Sequence, residues 1–466
     1  MQLARQFIGE SVILCLIAFV FAVVISSLLL SSFNQLAGKT ISDGIFANPQ
    51  YLLVLAAAAV GIGLLAGIYP AFVLSSFRPV IVLKGRFATG TRGIFLRKGL
   101  VVAQFSISVA LIIGTIVVYN QMSYMRKQDL GFNKDQVMVV NTSGDAAKLA
   151  FNLAVKDIPG VKSTAMSSSV PGGGNPGAYS EIENRSGDLQ IANLALYFVD
   201  YDYIPNYNMK MIAGRAFSKE FGTDTTKAMI LNEAAVKLFG YKTPQEAVGR
   251  RFKQWGREGN IIGVVKNFNF RSLQQDIKPL TMRIEPGGAN LVSIKLPAAN
   301  LPATIASIES KWKTLIPNRP FSYFFLDEFF NEQYRSEERF GNLFLNFAVL
   351  AIFISCLGLL GLASYSTIQR TREIGIRKTM GASVANIVSL LSSDFLKLVV
   401  LSFLIAMPVA WYFMYKWLQD FSYRSSIAWW VFAVAGIGAL CIAVFTISFQ
   451  AIRAAVMNPV KSLRSE

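Results

Sequence analysis

The chain holds no histidine among its 466 residues. That absence removes Ser-His-Asp catalysis, His-ligated zinc and histidine phosphotransfer together. Cys15, Cys356 and Cys441 all fall inside apolar runs. A thiol there packs as a small hydrophobe and builds neither a disulfide framework nor a metal site. Gly38-Lys39-Thr40 has the ending of a phosphate-binding loop, but Phe33 stands where its first glycine belongs. No catalytic, cofactor-binding or metal-ligating residue is assigned. What remains is a charge cluster, Gln369 to Ser383, reading Q-R-T-R-E-I-G-I-R-K-T-M-G-A-S. Such groups pair and dock rather than make bonds. Its candidate contact residues are Arg372, Glu373, Gly375, Arg377, Lys378, Gly381, Ala382 and Ser383. Glu373 and Arg377 are four apart and can pair on one helix face. The run Val384 to Leu391 that follows is amphipathic and is expected to lie along the inner membrane face.

The elements that position this cluster are read from hydropathy. The chain is 53% hydrophobic and 16% charged, against about 25% charged in a soluble domain. A bilayer core needs about 20 apolar residues per helix. Six windows meet or approach that length: Glu10 to Lys39, Asp43 to Arg78, Lys98 to Arg126, Arg339 to Arg370, Lys397 to Lys416, and Arg424 to Arg453. The fifth is shortest, with Lys397 and Lys416 able to snorkel outward. The predicted fold class is a polytopic α-helical membrane protein with a mixed α/β extracytoplasmic domain between helices three and four.

Net charge is +17, but the cations flank apolar runs, as in cytoplasmic membrane loops, so no nucleic-acid partner is expected. The stretch from Arg78 to Lys98 holds six basic residues and no acid. The tail carries Arg453, Lys461 and Arg464. The positive-inside rule then puts both termini in the cytoplasm and residues from about 120 to about 340 outside. Within that segment, 136–140 and 261–265 alternate like strands. Asn232 to Gly240 reads as a helix with a glycine stop, and 171–177 as a turn-rich or mobile stretch. Asn120 to Leu130 and Asp327 to Arg339 read as helical extensions forming a stalk.

Two segments echo each other. Gly61-Ile62-Gly63 precedes Pro79-Val80 and Leu83-Lys84, while Gly436-Ile437-Gly438 precedes Pro459-Val460 and Leu463-Arg464. This shared order reads as a duplication in which helices one and two end a first repeat. The chain then begins mid-repeat, as a fragment or a split-gene product. Gly63 and Gly67 form a small-xxx-small pair expected to pack helices within the chain rather than between copies. The predicted divisions are 1–98, two helices and a basic linker; 99–130, helix three and stalk; 131–326, the outer α/β domain; and 327–466, stalk and helices four to six.

The segment R-T-R-E-I-G-I-R-K-T-M-G-A at 370–382 resembles the MacB/FtsX family of ABC-transporter permeases. In that family a similar segment precedes the short coupling helix that engages the ATPase. Further matches are Met209 to Phe217, Leu231 to Ala235, Gly263 to Leu273, Phe325 to Glu328 and Tyr334 to Arg339. Asn267 and Asn269 depart from the family, where an acid and a histidine are common. The resemblance implies an inner-membrane permease that is not itself an enzyme and has no cofactor. It implies a separate ABC ATPase of the MacB or LolD kind, docked on the eight candidate residues. It further implies contact with membrane lipid, a periplasmic or outer-membrane partner, and a dimeric or pseudo-dimeric assembly. Export or extraction of a substrate and mechanotransmission are both compatible with it. A membrane-anchored sensor is the alternative; the chain offers it no cytoplasmic output domain. A membrane peptidase would need a Ser-Lys or paired-Asp site within the membrane, and none is visible.

Overall fold

The structure is a computed structural model describing residues 2–40, 44, 46, 48–75, 91–297 and 300–456. The basic segment 78–90 and the tail from 457 onward lie outside the described residues, as does the Pro-Val repeat match they carry. The chain divides into two compact units: residues 1–120, 337–415 and 426–466 in one, and 121–336 with 416–425 in the other.

The first unit is helical. Its long elements are α1 (Gln2–Ala37), α2 (Pro49–Ser75) and α3 (Thr91–Arg126). After the main segment of the second unit come α10 (Arg335–Gln369), α11 (Thr371–Thr379), α12 (Val384–Leu418) and α13 (Trp429–Val456). Six of the described helices are long and apolar enough to cross a membrane. The fifth is longer than its uncharged window, because Asp394 and Lys397 lie inside α12.

Close packing in this unit depends on small and polar residues, as expected where lipid removes the hydrophobic drive between helices. A Cβ on Gly63 would lie 2.8 Å from the Val12 Cα, and one on Gly67 2.9 Å from the Ile8 Cα. Both glycines therefore serve the α1–α2 hairpin, the use expected of the pair. Elsewhere the buried Ser108 and Ser355 hydroxyls meet at 3.0 Å, joining α3 to α10. Ser106 Oγ lies 2.8 Å from the Val102 carbonyl of its own helix and 3.1 Å from the Ser402 carbonyl of α12, its one proton shared between them.

The second unit is α/β. Its strands are β1 (Val137–Asn141), β2 (Ser163–Ser167), β3 (Gly177–Glu183), β4 (Leu189–Val199), β5 (Met211–Gly214), β6 (Ala228–Asn232), β7 (Arg251–Gln254), β8 (Arg257–Val265), β9 (Leu280–Ile284), β10 (Leu291–Lys295) and β11 (Tyr323–Phe325). Its helices are α4 (Lys148–Lys156), α5 (Tyr203–Asn206), α6 (Asp224–Lys227), α7 (Glu233–Leu238), α8 (Leu301–Leu315) and α9 (Leu326–Glu332). Strand order is β11-β1-β10-β2-β4-β3-β7-β8-β6-β9, with β5 on β8. A parallel β4–β9 pairing closes the last six strands into a ring.

Strand β1 shows why the sheet is two-sided. Met138 and Val140 face α4 and α8 beside Phe151 and Trp312. Val137 and Val139 face a second core with Tyr203, Tyr207, Phe268 and Phe330. The run 136–140 thus supplies apolar side chains to both faces of a covered strand. Helix α7 starts where expected: Asn232 accepts from the Ala235 N–H at 3.0 Å, and Gly240 past the end has φ +74°.

Family-like motifs here have structural work. Arg215 forks onto buried Asp224 at 2.6 and 2.8 Å, and Ser218 N–H adds a 3.0 Å bond. Burial pushes the Asp224 carboxyl up, but these partners outweigh it and hold the group below its usual range. Asn267 Oδ1 accepts from the Ala234 N–H at 3.0 Å, an acceptor role that an acid at this position could also fill. The glycine-rich stretch 171–177 is pinned rather than loose. Gly172 N–H donates to the Phe270 carbonyl at 3.0 Å, and Gln333 Nε2 to the Gly172 carbonyl at 2.7 Å.

The helices at the two chain connections of this unit differ. α3 continues unbroken to Arg126, whereas Leu326–Glu332 is its own short helix, separated from α10 by Gln333 and Tyr334. Tyr334 is held in place by the Leu273 N–H, 3.1 Å from its hydroxyl.

Candidate functional site

The charged cluster folds as an elbow between α10 and α12. Arg370, at φ −97° and ψ 11°, separates α10 from the nine-residue α11. The end of α11 is closed by the Met380 N–H to Ile376 carbonyl bond at 3.0 Å and by Gly381 at φ +90°. Ser383 then caps α12, its hydroxyl accepting from the Asn386 N–H at 3.2 Å. The glycine at 381 is needed for the turn, since few side chains tolerate that backbone conformation.

Two contacts hold the elbow. Ile374 of α11 and Ile387 of α12 are buried together, with Ala382 and Val388 against them. Arg370 Nη2 lies 3.1 Å from Asp394 Oδ2, joining the foot of α11 to the third turn of α12. The outward face is left to Glu373 and Arg377, paired at 2.8 Å and each about half exposed. Met380 at the apex is 82% exposed, and Ile376 and Val384 are exposed beside it. An exposed apolar side chain following a helix that carries an exposed ion pair is suited to a protein groove.

Of the eight predicted residues, Glu373, Arg377, Gly381 and Ser383 are exposed on this elbow and Ala382 and Lys378 are partly covered. Gly375 lies within α11; the Arg372 side chain lies outside the described residues. The expected run Val384 to Leu391 is not a separate surface stretch. It forms the first turns of α12, because Ser383 caps a helix that then runs unbroken to Leu418. Sequence reading passed over Ile374, Met380 and the Arg370–Asp394 pair. Ile374 and Ile376, two apolar residues among charges, were the available signal: they take opposite sides of α11.

The comparisons with known proteins divide along the same lines as the fold. The profile of the FtsX-like permease C-terminal domain matches residues 345–459, which include the elbow. The profile of the MacB-like periplasmic core domain matches residues 100–310. Three solved structures are similar to part of this chain. The periplasmic region of MacB from Actinobacillus actinomycetemcomitans has 13% identity and TM-score 0.33, over 42% of this chain and 92% of that one. A permease-protein domain from Porphyromonas gingivalis has 14% identity and TM-score 0.31, over 41% and 90%. The extracellular domain of the noncanonic ABC-type transporter YknZ from Gram-positive bacteria has 15% identity and TM-score 0.30, over 40% and 97%. No curated protein matches the chain. With both domain profiles matched in this order, the chain belongs to the MacB/FtsX family of ABC-transporter permeases, membrane-embedded proteins with a periplasmic domain that work with a cytoplasmic ABC ATPase.

Proposed function

We propose that this permease receives the movement of a separate ABC ATPase on the α11 elbow and passes it through its membrane helices to the periplasmic domain. The outcome is export or extraction of a substrate, or mechanical control of a periplasmic partner. On this reading both termini and the elbow are cytoplasmic, and residues from about 120 to about 340 are periplasmic, as the basic flanks require. The observation that carries the proposal is the elbow itself. It presents exposed Met380 between charged flanks, while Ile374 is seated against Ile387 of a 35-residue helix. A force on α11 therefore reaches α12 through packed side chains rather than through a loose loop.

Glu373→Lys tests it. As a mere topology anchor the segment tolerates this change, which makes it more basic. As a docking surface it does not, because like charges facing across an interface cost several kcal/mol, roughly 2 or more. The expected result is loss of ATPase co-purification and of nucleotide-linked function, with normal insertion and abundance. Wild-type ATPase association in this variant would remove the docking role. Reporter fusions test the topology: one at Gly173 is expected outside, and those after Lys98 and Ser383 inside.

A further inference from the structure

The short connection between the last two membrane helices belongs to the periplasmic unit, not to the helical one. Residues 416–425 cluster with 121–336. Phe421 is only 5% exposed and sits in the core with Met122, Met125, Leu273 and Phe330. Trp417 packs on it with ring centroids 4.8 Å apart, and Tyr423 lies against the same core. A connection that merely returned the chain to the bilayer would need none of this burial.

Gln121, near the outer end of α3, is fully buried at 0% exposure. Both ends of its amide are used on this connection. Nε2 donates to the Tyr423 carbonyl at 2.7 Å, and Oε1 accepts from the Ser425 N–H at 2.8 Å. A third tie comes from Ser422, whose N–H and hydroxyl both donate to the Gln274 carbonyl at 3.2 and 3.1 Å. Gln274 lies in the segment leading into β9. The connection cannot slide without stranding a buried amide and exposing Phe421, and both are costly.

The helix that delivers this connection is α12, whose first turn packs in the elbow through Ile387 and whose last residue, Leu418, stands three before Phe421. Its 35 residues make a rod of about 52 Å. We infer that residues 417–425 are a second transmission link into the periplasmic domain, parallel to the stalk, with Gln121 and Phe421 as its positioning residues. This rests on the proposed docking of an ATPase at the elbow. Movement of α11 then reaches the domain by two routes: through α3 and α10 at its two chain connections, and through α12 at the segment before β9.

The test uses the full chain in lipid nanodiscs with the ABC ATPase recovered with it from host membranes. Hydrogen exchange is followed with and without a non-hydrolysable ATP analogue. In the wild type, nucleotide is expected to change exchange both at residues 268–277 and in α9. In Gln121→Ala, the Ser425 amide loses its acceptor and exchanges about five- to tenfold faster, the worth of one hydrogen bond. The nucleotide-linked change at 268–277 disappears there, while that in α9 persists. An unaltered change at 268–277 would overturn the link and leave the docking reading standing. No nucleotide-linked change anywhere in the wild type removes both.

Rescue separates transmission from folding. With Cys15, Cys356 and Cys441 replaced by serine, Gln121→Cys and Ser425→Cys are joined by a short thiol-specific cross-linker. The joined form is expected to regain the response at 268–277 and the unjoined form to lack it. Equal responses in the two forms would overturn the proposal. Should Gln121→Ala not accumulate, Gln121→Glu takes its place: it retains the Ser425 bond but cannot donate to Tyr423, so the change at 268–277 alone is read, and its persistence would overturn the link.

Discussion

The two units keep their side chains together by different means. The periplasmic unit buries large ones: Trp312, Tyr197, Tyr203, Tyr207, Phe151 and Phe268 are each less than 2% exposed. The helical unit brings its backbones close at Gly63 and Gly67 and links its helices through serine hydroxyls. Water drives the first kind of packing, at about 25 cal/mol per Å² of apolar surface removed from it. Lipid offers no such gain, so shape and hydrogen bonds must serve. Truncations should therefore be severe in the outer unit, while enlargement of small residues should matter most among the helices.

The largest effect is expected at Trp312. Its indole N–H donates to the Arg319 carbonyl at 2.9 Å, and its ring meets Phe151 edge-on at 5.1 Å. Trp312→Ala should cost about 3–5 kcal/mol, the range for large buried aromatics. Urea unfolding of the full chain in detergent, followed by proteolysis of the outer unit, measures it. A loss below about 1 kcal/mol would mean that this core is not what holds the sheet to α8.

A partly buried carboxyl sharpens the contrast, because the outer unit holds one away from its ordinary range. Burial drives the Asp200 carboxyl up to about 7, against the Met166 N–H bond at 2.7 Å, which favours the ionised form. Its native pKa lies above the usual 3.8. The native state thus binds the proton more tightly than the unfolded chain, and the group contributes stability below pH about 4 that is lost as pH rises through about 7. Asp200→Asn cannot ionise. Relative to wild type it should gain stability at pH 8 compared with pH 4, where only the loss of the acceptor for the Asp202 N–H, 3.2 Å away in the wild type, is felt. Parallel wild-type and variant stability curves across that window would contradict the burial argument.

Among the helices, Gly63→Leu should do more than any nearby truncation. Its side chain would collide with the α1 backbone at Val12, and overpacking typically costs about 1–3 kcal/mol. Spin labels at the exposed Ile13 and Ile62 should move apart by about 2 Å, since interaxial distance follows the side chains at the contact. An unchanged distance would return Gly63 to the role of a contact between copies.

Much of this was legible because it is local. Helix spans follow from apolar length, and the Asn232 cap and Gly240 stop lie beside the helix they bound. The elbow was legible as charge but not as shape. Whether Val384 to Leu391 formed its own segment turned on one hydroxyl cap at Ser383 and one isoleucine pair thirteen residues apart. The ring of strands was not legible at all. Its closure joins Ala195–Val199 to Leu280–Ile284, a pairing set by three-dimensional fit and not by either strand's alternation. The burial of 417–425 was hidden for the same reason. Trp, Phe and Tyr beside a membrane helix ordinarily mark the lipid interface, so their place in the periplasmic core is visible only once the fold is known.

The smallest effect tests the helical side of the comparison most finely. Ser108 Oγ lies 3.1 Å from the Gln104 carbonyl and 3.0 Å from Ser355 Oγ. One hydroxyl carries one proton. If Ser108 donates to its own helix, Ser355 must donate across to Ser108; if Ser108 donates to Ser355, the Gln104 carbonyl keeps only its helical partner. Either arrangement satisfies the pair, so Ser108→Ala leaves Ser355 free to turn toward another acceptor in its helix. The expected loss is about 0.6 kcal/mol, the average for interhelical bonds in membrane proteins. A double-mutant cycle with Ser355→Ala, read from unfolding in mixed micelles, isolates the coupling. A coupling above about 2 kcal/mol would exceed what polar links between membrane helices have been measured to supply. The helical unit would then be held by buried polar bonds rather than by close backbone approach.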